Sequence, residues 1–341
     1  MPIRADILAL TILALTLGAS ASSAGVVDRA GHQRAQIWFS SGDDLEVRGV
    51  VAHPDFMQLF DPQSEWPVGL AHLDVMALRA PWFLRMPPAK VQIVVTFLKT
   101  HQIALAVPAG FVSSDTCGQG VEGIGGVRQQ EAYPREMNRR GIEVDYVVMD
   151  EPLFHGHDYG GKNACQWSID QVAKSVAQNV KMFRSYYPNA KFVWVEPPQS
   201  LQGGAAEMAQ FLEAYKSLLG KYPDSVRFDI AWGSVDRWHR EWRGDLPAFV
   251  QMLKAKHIGY GIIYDAGRVD GHPPRTSAEW IESAKANVAA WEATIQATPD
   301  QYVIQTWTPN PVRIVPETDP TTMTGYLKWF VERTARGIPG K

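Results

Sequence analysis

The chain is poor in features that mark several common classes of site. It has two cysteines and no C-x-x-C spacing, so we expect neither a zinc ribbon nor a dithiol redox motif. It has no excess of basic residues, since 33 Lys and Arg face 36 Asp and Glu for a net charge of −3. Without a basic stripe we expect no nucleic-acid partner. It also lacks a G-x-S-x-G elbow, which argues against a serine hydrolase.

Long apolar runs are absent beyond the amino end. Arg4 lies in a short charged head, an apolar run extends from Ile7 to Leu17, and small residues follow up to Ala24. This pattern is typical of a secretory signal peptide, and the run is far shorter than the roughly 20 residues that span a bilayer. We therefore expect residues 1–24 to be a signal peptide. The remainder, residues 25–341, would be a periplasmic or secreted monomer with no membrane attachment after cleavage.

Export bears on the two cysteines. In an oxidising compartment an even number of cysteines most simply indicates a disulfide. We expect Cys117 and Cys165 to be bonded to each other.

Past the amino end, short β-rich runs alternate with longer helical patterns. The candidate strands are Gln36 to Phe39, Asp74 to Arg79, Gln102 to Val107, Val144 to Asp150, Phe192 to Glu196, Arg227 to Trp232, Gly259 to Asp265 and Tyr302 to Trp307. The clearest helices are Pro88 to Thr100, Ser168 to Tyr187, Ala205 to Leu219, Leu246 to His257, Ser277 to Thr298 and Pro320 to Arg336. Eight such alternations predict an α/β fold, a single-domain (β/α)8 TIM barrel. The alternative, an open doubly wound sheet, needs a glycine fingerprint after its first strand, and Ser40 to Asp44 is not one.

The carboxyl ends of barrel strands meet at one mouth, where ligands bind. The residues that the predicted strands bring there are Arg79, Asp150, Glu151, Glu196, Asp236, Asp265 and Trp307. Cys117 and Cys165 follow the third and fourth strands, so their disulfide would hold two loops of the same rim.

The stretch from Val144 to Pro152 carries the strongest indication of chemistry. Pro152 cannot donate to a strand ladder, so the strand must stop there, with Asp150 and Glu151 at its end. Charged groups at the end of a buried strand usually form an ion pair or take part in function. The alternative to catalysis is a structural ion pair or a helix cap.

Glycosidic bond cleavage needs two carboxyl groups that face each other across a pocket. Glu151 on the fourth strand and Asp265 on the seventh form such a pair, and Glu196 on the fifth strand is the other available partner. Asp265 precedes Ala266 and Gly267, which is also good turn chemistry. The identity of the second carboxylate therefore stays open.

These residues resemble the large clan of (β/α)8 retaining glycoside hydrolases whose fourth strand ends in Asn-Glu-Pro. The match is Glu151-Pro152, with Asp150 in place of the asparagine. The resemblance implies Glu151 as acid/base, Arg79 as the arginine beside the nucleophile and Trp307 as a sugar-stacking tryptophan. Because the clan's nucleophile is a glutamate, Asp265 departs from its pattern.

Asp150-Glu151 also resembles the Asp-Glu pair of family-20 hexosaminidases. There the aspartate orients a substrate acetamido group that acts as the nucleophile, so Asp265 would bind sugar instead. Both side chains could reach one pocket if the strand ended near Met149. A barrel that binds saccharide without cleaving it is a further alternative.

Tryptophans and histidines favour a saccharide. Twelve tryptophans are present, and Trp238, Trp242 and Trp307 are placed to stack on sugar faces. Trp194 and Trp232 lie inside predicted strands and are expected in the core. His155 and His157 have no third metal ligand at motif spacing, so we expect them to bind sugar hydroxyls, with no metal and no cofactor. The run from Gly118 to Gly123 fits G-x-G-x-x-G, but it follows the third strand and contains an acid, which disfavours nucleotide binding.

Overall fold

The computed structural model describes residues 26–27, 33–46, 49–63, 65–230, 232, 242–269 and 272–335. The expected signal peptide lies outside these residues, as do Asp236 and Trp238, and for Trp242 only the backbone is described. Within the described ranges, no helix combines the length and apolarity that crossing a membrane would require.

Eight parallel strands close into a barrel, which confirms the predicted single-domain fold. The strands are β1 (Gln36–Ser40), β2 (Val75–Ala77), β3 (Ala104–Ala109), β4 (Tyr146–Asp150), β5 (Lys191–Glu196), β6 (Ser225–Phe228), β7 (Gly259–Tyr264) and β8 (Gln301–Gln305). Each strand pairs with the next along the chain, and β8 pairs with β1.

Helices cover the outside of the barrel. They are α1 (Pro67–His72), α2 (Ala80–Arg85), α3 (Pro88–Thr100), α4 (Val127–Arg139), α5 (Ile169–Tyr186), α6 (Gly204–Leu219), α7 (Trp242–Ala255), α8 (Ser277–Thr294) and α9 (Met323–Ala335). The helix α5 begins with a reciprocal cap, in which Ser168 accepts from the Gln171 N–H and the Gln171 side chain accepts from the Ser168 N–H. The sequence did not predict α1, α2 or α4. The first two are six residues long, and α4 carries Pro134 within a strongly polar run.

Alternation along the strands separates two buried faces. The inner face holds Trp38, Val75, Ala77, Ala106, Tyr146, Val148, Val193, Val195, Ile263 and Val303. Residues of the opposite parity pack against the helices. Arg227 is buried, lies 3.6 Å from the Trp38 ring centre and donates to Gln301 Oε1 at 2.8 Å. The barrel interior is therefore filled with side chains and leaves no room for a ligand.

The disulfide is present. Cys117 and Cys165 are bonded, with their Cα atoms 5.2 Å apart, inside the usual range for such bonds. The same two loops are also joined by hydrogen bonds from Gly118 N to Asn163 O and from Asn163 Nδ2 to Gln119 O. The loops that follow β3 and β4 are thus tied together over the mouth, as the sequence predicted.

Candidate active site

Five carboxyl side chains at the carboxyl end of the barrel interact electrostatically, and we call them the carboxyl cluster. Its members are Glu122, Asp150, Glu151, Asp229 and Asp265. Burial raises the pKa of Asp150 to about 7, and Glu122 adds to that rise. Burial likewise raises the pKa of Glu151 well above its usual value, and the charges of Asp150, Glu122 and Asp265 raise it further. The sequence-predicted pair of Glu151 and Asp265 thus lies within electrostatic reach.

Glu151 has an unusual backbone. Its φ is +42°, a left-handed conformation that costs a residue with a side chain roughly 1 to 3 kcal/mol. The strand β4 ends at Asp150 and the chain turns at once, so Glu151 leaves the strand's alternation. No described residue donates a hydrogen bond to its carboxyl group. The nearest described partner is His155, whose Nε2 lies 3.1 Å from Glu151 Oε2.

His155 is buried beside Glu151. The sequence had led us to expect that His155 binds sugar hydroxyls. Neither ring nitrogen has a well-aligned hydrogen bond to a described residue. Burial lowers the His155 pKa, partly opposed by Glu122 and Asp150. Since the Glu151 pKa is raised, both shifts favour neutral forms. The geometry therefore gives His155 a role in positioning Glu151, although it still borders the mouth.

Asp265 follows β7 and is 4% exposed. Burial raises its pKa well above the usual value, Asp229 adds to the rise, and the hydrogen bond from Trp307 opposes it. That bond runs from Trp307 Nε1 to Asp265 Oδ2 at 2.7 Å. The Asn287 amide donates to the Asp265 carbonyl at 2.8 Å, fixing the backbone. Asp265 is thus oriented by two neighbours while its carboxyl group stays in the cluster.

Trp307 presents an aromatic surface at this mouth. It is 68% exposed although it donates to a buried carboxylate, so it is not a core residue. Trp194, by contrast, is fully buried, and Trp232 is partly buried against Trp291, both as predicted. A ring that is exposed on one side and held by its N–H is suited to stacking on a sugar.

Asp229 is a member of the cluster that sequence reasoning missed. Burial raises its pKa well above the usual value, and Glu151 and Asp150 add to the rise. The predicted strand ran on to Trp232, which hid Asp229 inside it, whereas β6 ends at Phe228. Asp229 shares the inward parity of Arg227, and this was the signal that could have identified it.

Glu122 reaches the cluster because Gly123 allows its loop to approach β4. Gly123 has φ +69°, and a Cβ there would lie 2.5 Å from the Asp150 carbonyl oxygen. The Gly123 carbonyl accepts from Phe111 N and Val112 N at 3.0 and 3.1 Å. The G-x-G-x-x-G run is therefore a tight turn that brings an acid to the mouth.

Glu196 corrects one of our expectations. It shares the parity of Trp194 and points into the helix layer, not toward the mouth. Its Oε1 accepts from Leu153 N at 2.6 Å and from Trp194 Nε1 at 2.8 Å, and its Oε2 accepts from Phe154 N at 3.1 Å. Glu196 is fully buried and caps the chain that follows β4. It is not available as the second catalytic carboxylate.

Arg79 lies at the start of α2 and pairs with Asp43. Its Nε and Nη2 donate to the two Asp43 oxygens at 2.8 and 2.6 Å. This bond raises the Arg79 pKa, with burial opposing it. The guanidinium therefore stands on the rim after β2 with half of its side chain exposed, and its described partner is Asp43 and not Asp265.

His157 turns away from the carboxyl cluster. Its Nδ1 bonds the Trp167 carbonyl, and its Nε2 lies 3.8 Å from Glu207 Oε1. Its expected contact with sugar hydroxyls is therefore replaced by contact with protein groups. Together with Asp158 and Glu207 it forms a set of possible metal ligands.

The chemistry open to the cluster follows from its charges. Carboxyl groups that crowd together cannot all ionise near neutral pH, so some stay protonated while others are charged. A protonated acid beside an ionised carboxylate is the arrangement that acid/base-assisted bond cleavage requires.

Comparison with known proteins finds no family model and no curated protein that matches this chain. Solved structures do match. A glucosidase from Croceicoccus marinus is 12% identical over 92% of this chain and 70% of its own, with a TM-score of 0.50. A psychrophilic glycoside hydrolase family 10 endo-β-1,4-xylanase is 8% identical over 86% and 96%, with a TM-score of 0.51. GH5_18 from Streptomyces cattleya, solved with GlcNAc, is 10% identical over 89% and 82%, with a TM-score of 0.50. At such identities the likeness shows the (β/α)8 fold alone.

Proposed function

We propose that this protein is an exported glycoside hydrolase that cleaves a poly- or oligosaccharide at the barrel mouth. Glu151 is the general acid/base and Asp265 the second carboxylate. The observation that carries the proposal is the carboxyl cluster, in which Glu151 and Asp265 influence each other beside an exposed tryptophan. The names of the solved structures that share the fold support a glycosidase. Export rests on the pattern of residues 1–24 and on the disulfide.

Each residue of the site has a separate role in the proposed hydrolysis. Glu151, with its raised pKa, protonates the leaving oxygen, and Asp265 attacks the anomeric carbon or activates water. Trp307 stacks on the sugar and orients Asp265 through its N–H. Burial and the charges of Asp150 and Glu122 keep the Glu151 pKa high, and Arg79 offers its exposed side to a sugar hydroxyl.

A second candidate is a substrate-assisted, hexosaminidase-like enzyme. One observation favours it: Asp150 and Glu151 are adjacent, yet both belong to the carboxyl cluster because the left-handed Glu151 breaks the strand's alternation. In this case Asp150 orients an acetamido group, and the substrate supplies the nucleophile. A barrel that only binds saccharide is the third possibility.

A screen of purified wild-type protein and Glu151→Gln against polysaccharides and aryl glycosides separates the three. New reducing ends with wild type alone support hydrolysis. Cleavage confined to N-acetylated sugars that survives Asp265→Asn supports substrate assistance. Saccharide binding without cleavage by either protein would overturn the hydrolase assignment.

A further inference from the structure

A second cluster of possible ligands lies apart from the proposed catalytic pair, where the chain after β4 meets the start of α6. His157 and Asp158 end a short π-helical segment, Phe154–Asp158, and Glu207 lies in the first turn of α6. One ligand atom from each of the three lies within 4.8 Å of the others. The sequence argued against a metal because no third ligand follows the histidines at motif spacing. The fold supplies that ligand from another helix.

The imidazole is held as metal-bound imidazoles are held. His157 Nδ1 bonds the carbonyl of Trp167, a residue outside the cluster. Because a carbonyl oxygen can only accept, Nδ1 donates there, and Nε2 is the ring nitrogen that faces Glu207. A histidine that ligates a metal almost always gives its other N–H to a carbonyl or carboxylate, which fixes the tautomer and the ring orientation.

One carboxylate oxygen in the cluster has no donor among the described residues. Glu207 Oε2 is fully buried and accepts no hydrogen bond from a described residue. Elsewhere the Glu207 carboxyl accepts from the Gly203 backbone N–H and is hydrogen-bonded to the Asp158 carboxyl. Asp158 has a described donor on one side, since its Oδ2 accepts from Gln202 N at 3.0 Å. One buried carboxylate oxygen of the cluster, Glu207 Oε2, therefore lacks a donor among the described residues.

The spacing suits a small dication. The gap of 3.8 Å between His157 Nε2 and Glu207 Oε1 is too long for a hydrogen bond. Tetrahedral ligands about 2.0 to 2.2 Å from zinc stand roughly 3.4 Å apart, so a small inward movement of the side chains closes the site. One neutral imidazole and two carboxylates carry a charge of about −2, which a dication neutralises.

We propose that His157, Asp158 and Glu207 bind a first-row divalent cation of the zinc type, with water completing the coordination. The mixed nitrogen and oxygen donors favour zinc over calcium or magnesium, which prefer oxygen alone. The ion would tie the segment that follows Glu151 and His155 to α6. It is a structural clamp behind the mouth and takes no part in the proposed hydrolysis.

Metal analysis and thermal unfolding of the full chain test this proposal. Chelator-treated protein dialysed against zinc chloride should retain one equivalent of zinc, and its melting temperature should rise by a few degrees at about 100 times Kd. Calcium and magnesium chloride at the same concentration should cause a much smaller rise. His157→Gln and Glu207→Gln each remove a ligand, so they should weaken zinc binding by more than the roughly 10- to 100-fold that loss of a ligand's hydrogen-bond partner costs, while unfolding like the metal-free wild type.

His72→Gln is the matched control. His72 also bonds a backbone carbonyl through Nδ1, that of Val68 at 2.9 Å, but it is not part of the cluster, so this variant should keep the full zinc response. Should a cluster variant fold poorly, the visible spectrum of cobalt(II) bound to wild-type protein reports whether nitrogen and oxygen ligands hold the metal. Wild-type protein that retains no zinc, cluster variants that bind zinc as wild type does, or an equal calcium response would each overturn the proposal.

Discussion

Glu151 and Glu196 stand at the ends of adjacent barrel strands, and their surroundings are opposite. Glu196 points outward, where two backbone N–H groups and an indole N–H satisfy its carboxylate. Glu151 points to the mouth on a left-handed backbone, beside other acids and with no described donor. Burial raises the pKa of both. A shifted pKa therefore does not distinguish a structural acid from a reactive one, whereas the donors around each acid do.

The largest effect is expected at Asp265. Replacing it with Asn keeps an acceptor for the Trp307 N–H but removes the charge that attacks or activates water. The value of kcat/KM should fall by about 10,000-fold or more. The fall should be similar for substrates with good and with poor leaving groups. If Asp265→Asn stays active while Asp229→Asn is inactive, the second carboxylate is Asp229, which follows β6.

Glu196 should matter for stability instead. Glu196→Ala leaves the N–H groups of Leu153 and Phe154 buried without an acceptor, which should lower the free energy of unfolding by about 3 to 5 kcal/mol. Urea titration of Glu196→Ala beside Glu151→Ala measures the contrast, and the second variant should lose much less. If Glu196→Ala is as stable as wild type, the structural role assigned to Glu196 is wrong.

Stability should also depend on pH through the cluster. The folded-state pKa of Asp150 is raised to about 7, so the folded protein binds more protons than the unfolded chain between about pH 4 and pH 7. The contribution of Asp150 is full below about pH 4 and is lost as pH rises through 7, with a slope of at most about 1.4 kcal/mol per pH unit per proton. Asp150→Asn should flatten the decline. An unchanged slope in that variant would show that Asp150 does not carry it.

The smallest effect concerns Trp307. Trp307→Ala should weaken saccharide binding by about tenfold, since one stacking contact is worth roughly 1 to 1.5 kcal/mol, and the melting temperature should barely change because the ring is largely exposed. Isothermal titration with an unreactive oligosaccharide measures the first and calorimetric unfolding the second. A large fall in melting temperature with unaltered affinity would make Trp307 a packing residue.

Much of the fold could be predicted from local pattern. The eight strands stand out because buried parallel strands are continuous runs of β-branched and aromatic residues, and Pro152 marks where the decisive strand stops. Strand ends were less certain, and one such error hid Asp229. The outward direction of Glu196 could have been predicted, because Glu196 is two residues from Trp194 and side chains on a strand alternate with a period of two.

Other features depend on distant parts of the chain. Glu207 meets His157 only after the barrel has closed, so no spacing in the sequence indicates their contact. The left-handed backbone of Glu151 is likewise imposed by its surroundings, since no glycine marks it. Sequence reasoning predicted Glu151 and Asp265, which lie in the carboxyl cluster, but it did not predict the neighbouring Glu122 and Asp229.

The most direct test of the account compares Glu151→Gln with wild type on two substrates of the same cleaved sugar. One carries a leaving group that needs protonation, and the other an activated aryl group that does not. The account predicts that kcat/KM falls by about 100- to 10,000-fold on the first and much less on the second, with the melting temperature nearly unchanged. Wild-type turnover of the first substrate by Glu151→Gln would contradict the assignment of Glu151 as the proton donor.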